Sequence, residues 1–480
     1  IGIKDPDHSG LCDIRYRDIG DYLSREQKLA LVAEATIDSL DWQRIAPSVE
    51  GDWINQRDET FSTWPVLGSK EKAKALSVFS TYSAGLKTGR DAWCYNFSRS
   101  AVETNIREMV AQYATAQQDF ASYRQRSSLT APDESDVTAY LAGSSSLTAS
   151  GRISWNRGLK QDLAKNYPIC WSDNALRRFS YRPFCPQWGY LDRHVNDMIY
   201  QLPSMFPTPH HRNIGIVVLA PREAVQFGVL AVADIPDLSF FTYTAQFFPR
   251  WTYQQVDNTG TLDFTDASDV DEWGYRRVDN ITDEIVALYR KTAGDHVTKD
   301  DIFYYVYGVL HDPDYRTRYA ADLKKMLPHI PTPTTAERFA RVADIGRQLA
   351  NLHVNYDAVE PFPLDIQLNP GSDPSNRKTW RVDKMKWTSK TDRSAIVYNG
   401  AVTIAGIPDS AHDYMLGSRS ALDWIIDRYQ VKTDKASGIV NDPNDWCDEH
   451  DDTTYIVELI KRVTTVSVES MQIVDGLAGA

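Results

Sequence analysis

Apolar side chains recur every three or four residues in several stretches of the chain, and this spacing predicts helices with one buried face. The same spacing predicts helices from Ser24 to about residue 40, from Ser98 onward, and over 300–327, 419–430 and 453–473. Another helix, which Thr334 and Glu337 would cap, carries the clearest stripe, formed by Phe339, Val342, Ile345, Leu349 and Leu352.

Continuous apolar runs predict strands instead. The runs at 214–220 and 224–232 are split by Pro221 and Arg222, and they predict two buried strands joined by a tight turn. Asn399 and Gly400 lie between alternating segments and predict a hairpin. The pattern as a whole predicts a mixed α/β (α+β) fold, with a central mixed sheet region flanked by helical segments.

The same patterns divide the chain into segments. We predict boundaries that give 1–75, 76–150, 151–410 and 411–480. The Ser/Thr/Ala-rich stretch 127–150 is predicted to be a linker or loop, and 255–275 an acidic loop. Because the chain opens with Ile1 and continues in ordinary sequence, we expect it to be a piece of a longer polypeptide.

The amino-acid composition limits the classes of protein to which the chain could belong. A hydrophobic share of 42% and a charged share of 24% are typical of globular domains, and no apolar run is long enough for a membrane span. The five cysteines are widely spaced and form no C-x-x-C pair. This usage favours a reducing cytoplasm over a disulfide framework or a zinc site.

The charge is negative but uneven. A net charge of −13 counts against nucleic acid as a partner. However, residues 151–193 carry eight Lys or Arg against three Asp, and residues 377–393 carry seven against two. Residues 437–455 carry six acidic side chains and no Lys or Arg. The chain could still present one positive face.

Enzyme signatures are mostly excluded. The run from Gly85 to Thr88 lacks the spacing of a phosphate loop. The run from Asn441 to Asn444 is not the methyltransferase tetrapeptide, and no glycine-rich cofactor loop follows a predicted strand. Pro313-Asp314 with Asp322-Leu-Lys324 has the letters of a nuclease motif, but the segment has helical spacing, so we interpret the match as chance. The acidic run 448–452 could hold a metal, although a solvated loop explains it more simply.

The stretch from 77 to 98, SVFSTYSAGLKTGRDAWCYNFS, is the most informative one. It sets basic and amide groups on an aromatic frame, which suits a surface that grips a polyanion and reads base edges. Similar groups cluster at 177–182 and 377–386. The residues that we predict to contact DNA are Lys87, Thr88, Arg90, Asn96, Arg177, Arg178, Arg182, Arg381, Lys384 and Lys386. The alternative for each is an ordinary solvated or turn-fixing side chain.

Six ordered blocks carry a family resemblance: GDWINQRD, YSAGLKTGRDAWCYN, YRPF, YGVLHDPDYRTRYAADLKKMLPHIP, IGRQLANLHVNY and RSALDWIIDRYQVKTDKASGIVNDPNDW. Together they resemble the C-terminal specificity region of type ISP restriction-modification enzymes, single-chain helicase-like systems. The resemblance implies that 1–75 connects to a methyltransferase module, that 76–150 carries the hallmark turn, that 151–410 is the target recognition core, and that 411–480 is a helical segment.

That resemblance also implies the partners. Double-stranded DNA would be bound while an adjacent adenine-N6 methyltransferase flips out a base, and the helicase and nuclease modules would belong to the same parent chain. S-adenosylmethionine, ATP and Mg²⁺ are expected for the parent bacterial enzyme and none for this piece, which would not be catalytic itself. Two alternatives stay open: a scaffold that docks the catalytic modules without binding DNA alone, and an independent hydrolase.

Overall fold

The protein is described by a computed structural model, which covers residues 7, 9–10, 12–20, 23–54, 56–71, 75–223, 225–256, 269–389 and 391–477. Most of the predicted acidic loop at 255–275 therefore lies outside the described residues. The chain folds as two compact units, Ile1–Phe61 and Ser62–Ala480.

The first unit is small. It contains β1 (Ile14–Tyr16), α1 (Arg25–Glu34) and β2 (Gln43–Ile45), and β1 pairs with β2 in antiparallel register. The side chain of Ser24 accepts a hydrogen bond from the backbone of Gln27, whose side chain in turn accepts from Ser24. This capping box confirms the predicted start of α1, although the helix ends earlier than residue 40.

The second unit holds the remaining described α-helices. They are α2 (Asp91–Cys94), α3 (Arg99–Arg126), α4 (Glu134–Ala142), α5 (Ser145–Thr148), α6 (Arg157–Ala164), α7 (Leu202–Met205), α8 (Asp283–Ala293), α9 (Lys299–His311), α10 (Pro313–Arg318), α11 (Ala320–Leu323), α12 (Ala336–Val354), α13 (Ala421–Arg428), α14 (Asn444–Glu449) and α15 (Tyr455–Asp475).

Its strands are short. They are β3 (Val66–Gly68), β4 (Ser77–Phe79), β5 (Ser83–Ala84), β6 (Tyr95–Asn96), β7 (Leu176–Arg182), β8 (Cys185–Tyr190), β9 (Gly215–Leu219), β10 (Val229–Val232), β11 (Ile235–Pro236), β12 (Ala245–Pro249), β13 (Trp251–Gln255), β14 (Tyr275–Asp279), β15 (Asp365–Leu368), β16 (Lys386–Trp387), β17 (Ala395–Val397), β18 (Val402–Ala405), β19 (Met415–Leu416), β20 (Arg419–Ser420), β21 (Lys432–Thr433) and β22 (Val440–Asn441).

Three sheets of four strands form the framework. Their strand orders are β10-β9-β12-β5, β11-β7-β8-β6 and β15-β18-β17-β16. The pairing is antiparallel except between β11 and β7, which run parallel. The mixed α/β fold predicted from the sequence is therefore confirmed.

The predicted helices of the second unit are found with their apolar stripes buried, whereas α1 in the first unit has no buried residue. On α3, Ser98 accepts a hydrogen bond from the backbone of Ala101, and Val102, Ile106, Met109 and Tyr113 are buried. On α12 the cap is Thr335 and not Thr334, which shifts the predicted start by one residue. The Asn399–Gly400 hairpin joins β17 to β18 as predicted, and the Asn399 side chain accepts from the backbone of Val402 at 2.8 Å.

Two predictions were wrong. The stretch 127–150 is not a linker, because Asp133 and Asp136 form a capping box that starts α4. Tyr140 and Leu147 then join the core beside α3. The second error is the tight turn between β9 and β10. Residues 220–223 and 225–228 lie outside both strands, and the apolar residue Val225 is a buried loop residue, not part of a strand.

A buried chain of hydrogen bonds ties four elements of the core together. The backbone N–H of Ala231 on β10 donates to the phenol oxygen of Tyr307 at 2.8 Å. The same phenol shares a hydrogen bond with Nδ1 of His353 at 2.6 Å. On the other side of the ring, Nε2 of His353 is hydrogen-bonded to the hydroxyl of Ser470 on α15 at 2.8 Å. His353 and His311 are thus packing and hydrogen-bonding residues within helices.

Candidate nucleic-acid interface

The stretch from 85 to 96, here named the hallmark turn, connects two sheets. It leaves β5 at the edge of one four-stranded sheet and enters β6 at the edge of another. Gly85 lies so close to the neighbouring chain that a Cβ there would be 2.3 Å from the carbonyl oxygen of Asp237. Gly89 has φ +68°, a conformation that favours glycine. Glycine at both positions therefore allows the turn to form.

Polar side chains fix the turn internally. Thr88 is buried, and its hydroxyl donates to Asp91. The phenol of Tyr181 on β7 donates to the same carboxylate at 3.3 Å. Thr88 also accepts from the backbone N–H of Arg90 at 3.2 Å. Asp91 therefore caps the turn and binds it to β7.

Arg90 points into the protein. Only 5% of the residue is exposed, and its guanidinium donates to the carbonyls of Val195 and, at 3.1 Å, Ser154. Burial lowers the pKa of Arg90. Because the guanidinium joins two loops, its position favours the turn-fixing alternative. Loss of DNA binding on substitution of Arg90 would therefore report on the turn.

Lys87 lies at the outer side of the same turn. Its ammonium pairs with Asp197 at 2.6 Å, and the hydrogen bond raises the pKa of Lys87. Asp197 also accepts from the side-chain amide of Asn156 at 3.1 Å. With 47% of its side chain exposed, Lys87 can still reach a phosphate, and that contact stays a prediction.

Asn96 is fully buried at the end of the turn. Its side-chain NH₂ donates to the carbonyl of Val440 at 3.0 Å, and its side-chain oxygen accepts from the backbone of Ser98 at 3.0 Å. The hydroxyl of Ser98 donates to Glu449 at 2.6 Å. These bonds attach the turn and the start of α3 to the C-terminal hairpin and α14.

The three arginines of β7 have different surroundings. Arg182 is buried and pairs with Asp237 at 2.5 Å, and burial raises the pKa of Asp237 to about 6. Arg177 is also buried, donates to the carbonyls of Asn174 at 2.5 Å and Pro207 at 3.3 Å, and has its pKa lowered to about 10 by burial. Arg178 is half-buried, with its guanidinium 4.3 Å from the ring centre of Trp446.

A surface cleft lies beside these strands. This β7–β8 cleft has a volume of about 260 Å³, and its polar and aromatic lining includes Arg177, Arg178, Trp188, His211, Arg212 and Asp234. Arg178 lies directly opposite Trp188 in the strand register. Burial raises the pKa of Asp234, and the charges of Arg178 and Arg212 oppose that rise. The cleft thus combines guanidinium donors, a carboxylate acceptor and an indole ring.

Such a combination suits DNA chemically. Arginine forks match guanine edges and phosphates, a carboxylate accepts from the cytosine amine, and an aromatic ring supplies apolar contact. Of the predicted contact residues, the structure brings Arg177 and Arg178 to this cleft. Sequence reasoning missed Trp188, His211, Arg212 and Asp234. Only the strand alternation around Arg178 and Trp188 offered a local signal for any of these.

The basic segment 377–393 forms ion pairs with the acidic segment 437–455. Arg381 pairs with Asp442 at 3.2 Å and with Asp448 at 2.7 Å. Arg377 pairs with Asp448 and Asp451 in the same way. Part of the positive charge of 377–393 is therefore balanced by carboxylates of the same chain. Lys384 and Lys386 are exposed, and their contact with DNA stays a prediction, as does that of Arg381.

The described residues do not show the side-chain arrangement that a metal site or a nuclease would need. Asp314 lies on α10, and Asp322 is buried on α11, so the predicted helical character of this segment is confirmed. Within the described ranges, no three His, Cys, Asp or Glu side chains converge as metal ligands would. In the same ranges, no helix is both long and apolar enough to cross a membrane.

The chain is similar to known proteins over most of its length. The model of the Type ISP C-terminal specificity domain matches residues 77–459. A nuclease-deletion mutant of the Type ISP restriction-modification enzyme LlaGI, in complex with a DNA substrate mimic, is 32% identical with a TM-score of 0.78, covering 96% of this chain and 32% of that one. No curated protein sequence gives a match.

Two further solved structures are similar. The ATP-dependent Type ISP restriction-modification enzyme LlaBIII bound to DNA is 31% identical with a TM-score of 0.78, covering 99% of this chain and 28% of that one. A DrdV–DNA complex is 26% identical with a TM-score of 0.76, covering 96% of this chain and 43% of that one. The chain thus spans about a third of the length of the LlaGI and LlaBIII chains.

Proposed function

The chain belongs to the type ISP C-terminal specificity domain family, and on that premise we propose that it is the sequence-specific DNA target recognition region of a restriction-modification enzyme. The observation that carries the proposal is the similarity along almost the whole chain to LlaGI in complex with a DNA substrate mimic and to LlaBIII bound to DNA.

The β7–β8 cleft supports a direct role in reading the duplex. The charges of Arg178 and Arg212 act on the carboxylate of Asp234, and all three residues line the cleft, so donors and an acceptor are presented together. Base edges in the major groove differ in their donor and acceptor pattern, and a mixed set of this kind discriminates among them. The hallmark turn would hold the strands that carry the cleft, and Lys87, Lys384 and Lys386 would contact phosphates.

The parent chain would contribute the catalysis. In this proposal, a methyltransferase module with S-adenosylmethionine modifies an adenine, and helicase and nuclease modules use ATP and Mg²⁺. This region would hold the duplex while the base is flipped. Because the proposed partner is DNA and the cysteine usage is typical of a reducing compartment, we propose a cytoplasmic location.

Selection of bound duplexes from a random-sequence pool at low salt tests the proposal. We expect a short asymmetric site to be enriched, with an affinity that falls steeply as salt increases. Arg212→Ala should weaken binding to that site by about 5–100-fold, the loss expected for a base-contacting arginine. Lys291→Ala, which removes an exposed lysine of α8 outside the cleft, is the matched control and should bind nearly as well as wild type.

The scaffold alternative predicts a different result. If the wild-type chain shows no duplex affinity alone but binds once the catalytic modules are joined to it, the region docks those modules and does not bind DNA by itself. Failure to bind DNA in both settings would overturn the proposal.

A further inference from the structure

A second cleft, here named the loop–helix cleft, lies between the loop that joins β9 to β10 and the helices α10 and α11. Its volume is about 430 Å³. Three cationic side chains line it: Arg222 from the loop, Arg316 from α10, and Lys324 at the end of α11. Glu223 is the acidic side chain among the described lining residues, so the lining is positively charged overall.

Contacts with the protein fix the position of the Arg316 side chain. Its Nε donates to the carbonyl of Leu310 at 2.6 Å, and its guanidinium carbon lies 5.6 Å from the ring centre of Phe227. The side chain is half-buried and faces the cleft. Because one nitrogen is already anchored, the guanidinium loses little conformational entropy when it binds an anion.

Arg222 approaches from the opposite wall. It is exposed, and its guanidinium carbon lies 4.3 Å from the ring centre of Tyr243. The polar groups of Thr317 and Gln226 also line the cleft, whereas Leu219, Val225 and Leu323 supply apolar surface. Two oriented guanidiniums and an ammonium around one cavity match a group that carries several anionic oxygens.

We propose that the loop–helix cleft binds a phosphate group through Arg222, Arg316 and Lys324. The inference deepens the proposed function and rests on it in one respect, because the DNA backbone is then the source of the phosphate. That contact would lie outside the β7–β8 cleft and would position the duplex without reading its sequence. A free nucleotide carries the same phosphate chemistry, and the experiment separates the two sources.

The experiment measures how duplex affinity depends on salt. The variants are Arg222→Ala and Lys324→Ala, and the control is Lys291→Ala, which lines neither cleft. Each phosphate contact contributes a slope of about −0.9 to a plot of log affinity against log salt. We expect each cleft variant to lower the steepness by about that amount for every duplex sequence. Inorganic phosphate and AMP are titrated separately against wild type and variants by heteronuclear NMR.

The outcomes distinguish this inference from the function on which it rests. Wild-type binding with unchanged slopes in both variants, and with no phosphate or AMP signal at the cleft, overturns the inference and leaves the proposed function standing. AMP or phosphate binding that both variants lose, without an effect on DNA, supports a phosphate site filled by free nucleotide. If the wild-type chain binds no DNA, the proposed function fails, and the phosphate and AMP titrations alone decide the cleft.

Discussion

The side-chain amide of Asn96 donates a hydrogen bond to the carbonyl of Val440 at 3.0 Å, which joins residues 344 positions apart in the sequence. The next residue, Phe97, donates its backbone N–H to the side chain of Asn441 at 3.1 Å, and the Asn441 side chain also donates to Gln187 on β8 at 3.3 Å. The hallmark turn and the β21–β22 hairpin therefore share one hydrogen-bond network.

Asn96→Ala should destabilise the second unit by about 1–3 kcal/mol, because it leaves buried partners of Asn96 unpaired. Urea unfolding followed by circular dichroism measures this change. Asn355→Ala is the matched control, since the Asn355 amide is exposed and bonds only locally to Asn351 among the described contacts. Equal stability of the two variants would contradict the structural role assigned to Asn96.

A pair of glycines tests the close approach at the hallmark turn. At Gly85 an added Cβ would lie 2.3 Å from the carbonyl oxygen of Asp237, whereas at Gly400 it would meet nothing within 4 Å. We expect Gly85→Ala to destabilise by more than about 2 kcal/mol, as strained core substitutions do. Gly400→Ala should change stability by less than about 1 kcal/mol. Similar unfolding midpoints for the two variants would show that the segments around Gly85 and Asp237 can move apart at little cost in stability.

The buried histidines predict acid sensitivity. Burial lowers the pKa of His353 to about 3 and lowers that of His311 well below 6.5. Between these values and 6.5, the unfolded chain binds protons that the folded protein does not, so the contribution of the histidines to stability is lost as the pH falls below about 6.5. Each histidine should contribute up to about 1.4 kcal/mol per pH unit once the pH is well below 6.5, while the raised pKa of Asp237 acts in the opposite direction.

Urea unfolding between pH 7 and pH 5.5 measures that slope. His353→Gln should lower stability at pH 7, because the amide only partly replaces the bonds to Tyr307 and Ser470. Its stability should nevertheless vary less with pH than that of the wild type, since one titrating group is gone. An unchanged pH dependence would exclude His353 as a source of the effect.

The exposed lysines of the second basic segment give a test of phosphate contact. Lys384→Ala and Lys386→Ala should each reduce the salt dependence of duplex binding by about 0.9 if they touch phosphates. Arg381→Ala should reduce it less, because Asp442 and Asp448 already engage that guanidinium. Fluorescence anisotropy with a labelled duplex over a salt series compares the three variants. A larger effect from Arg381 would mean that its ion pairs open when DNA binds.

Much of the fold could be predicted from the sequence because its signals are local. Capping residues such as Ser24 and Ser98 and the stripe that includes Phe339 fix where helices begin and which face is buried. The linker prediction at 127–150 was wrong because composition concealed a two-aspartate capping box. The start of β10 was misplaced because an apolar run fits a loop that lines a cleft as well as it fits a strand.

The candidate site could be predicted only in part. Side-chain chemistry singled out residues of the hallmark turn as DNA contacts, but it could not say that Arg90 and Asn96 point inward. Burial depends on contacts with Val195 and Val440, which lie far away in the sequence. The sequence shows that 377–393 is basic and that 437–455 is acidic. Only the fold shows that ion pairs join the two segments.

The attachment of the hallmark turn to the β21–β22 hairpin has a consequence for how recognition regions can be exchanged. A chimera could take residues 85–96 from one relative and 432–441 from another. It would then combine two parts of one hydrogen-bond network that had not evolved together. Recombination between relatives is therefore expected to succeed when the whole interval is inherited as one block. New specificities would then arise either by replacement of that block or by changes at the clefts on its surface.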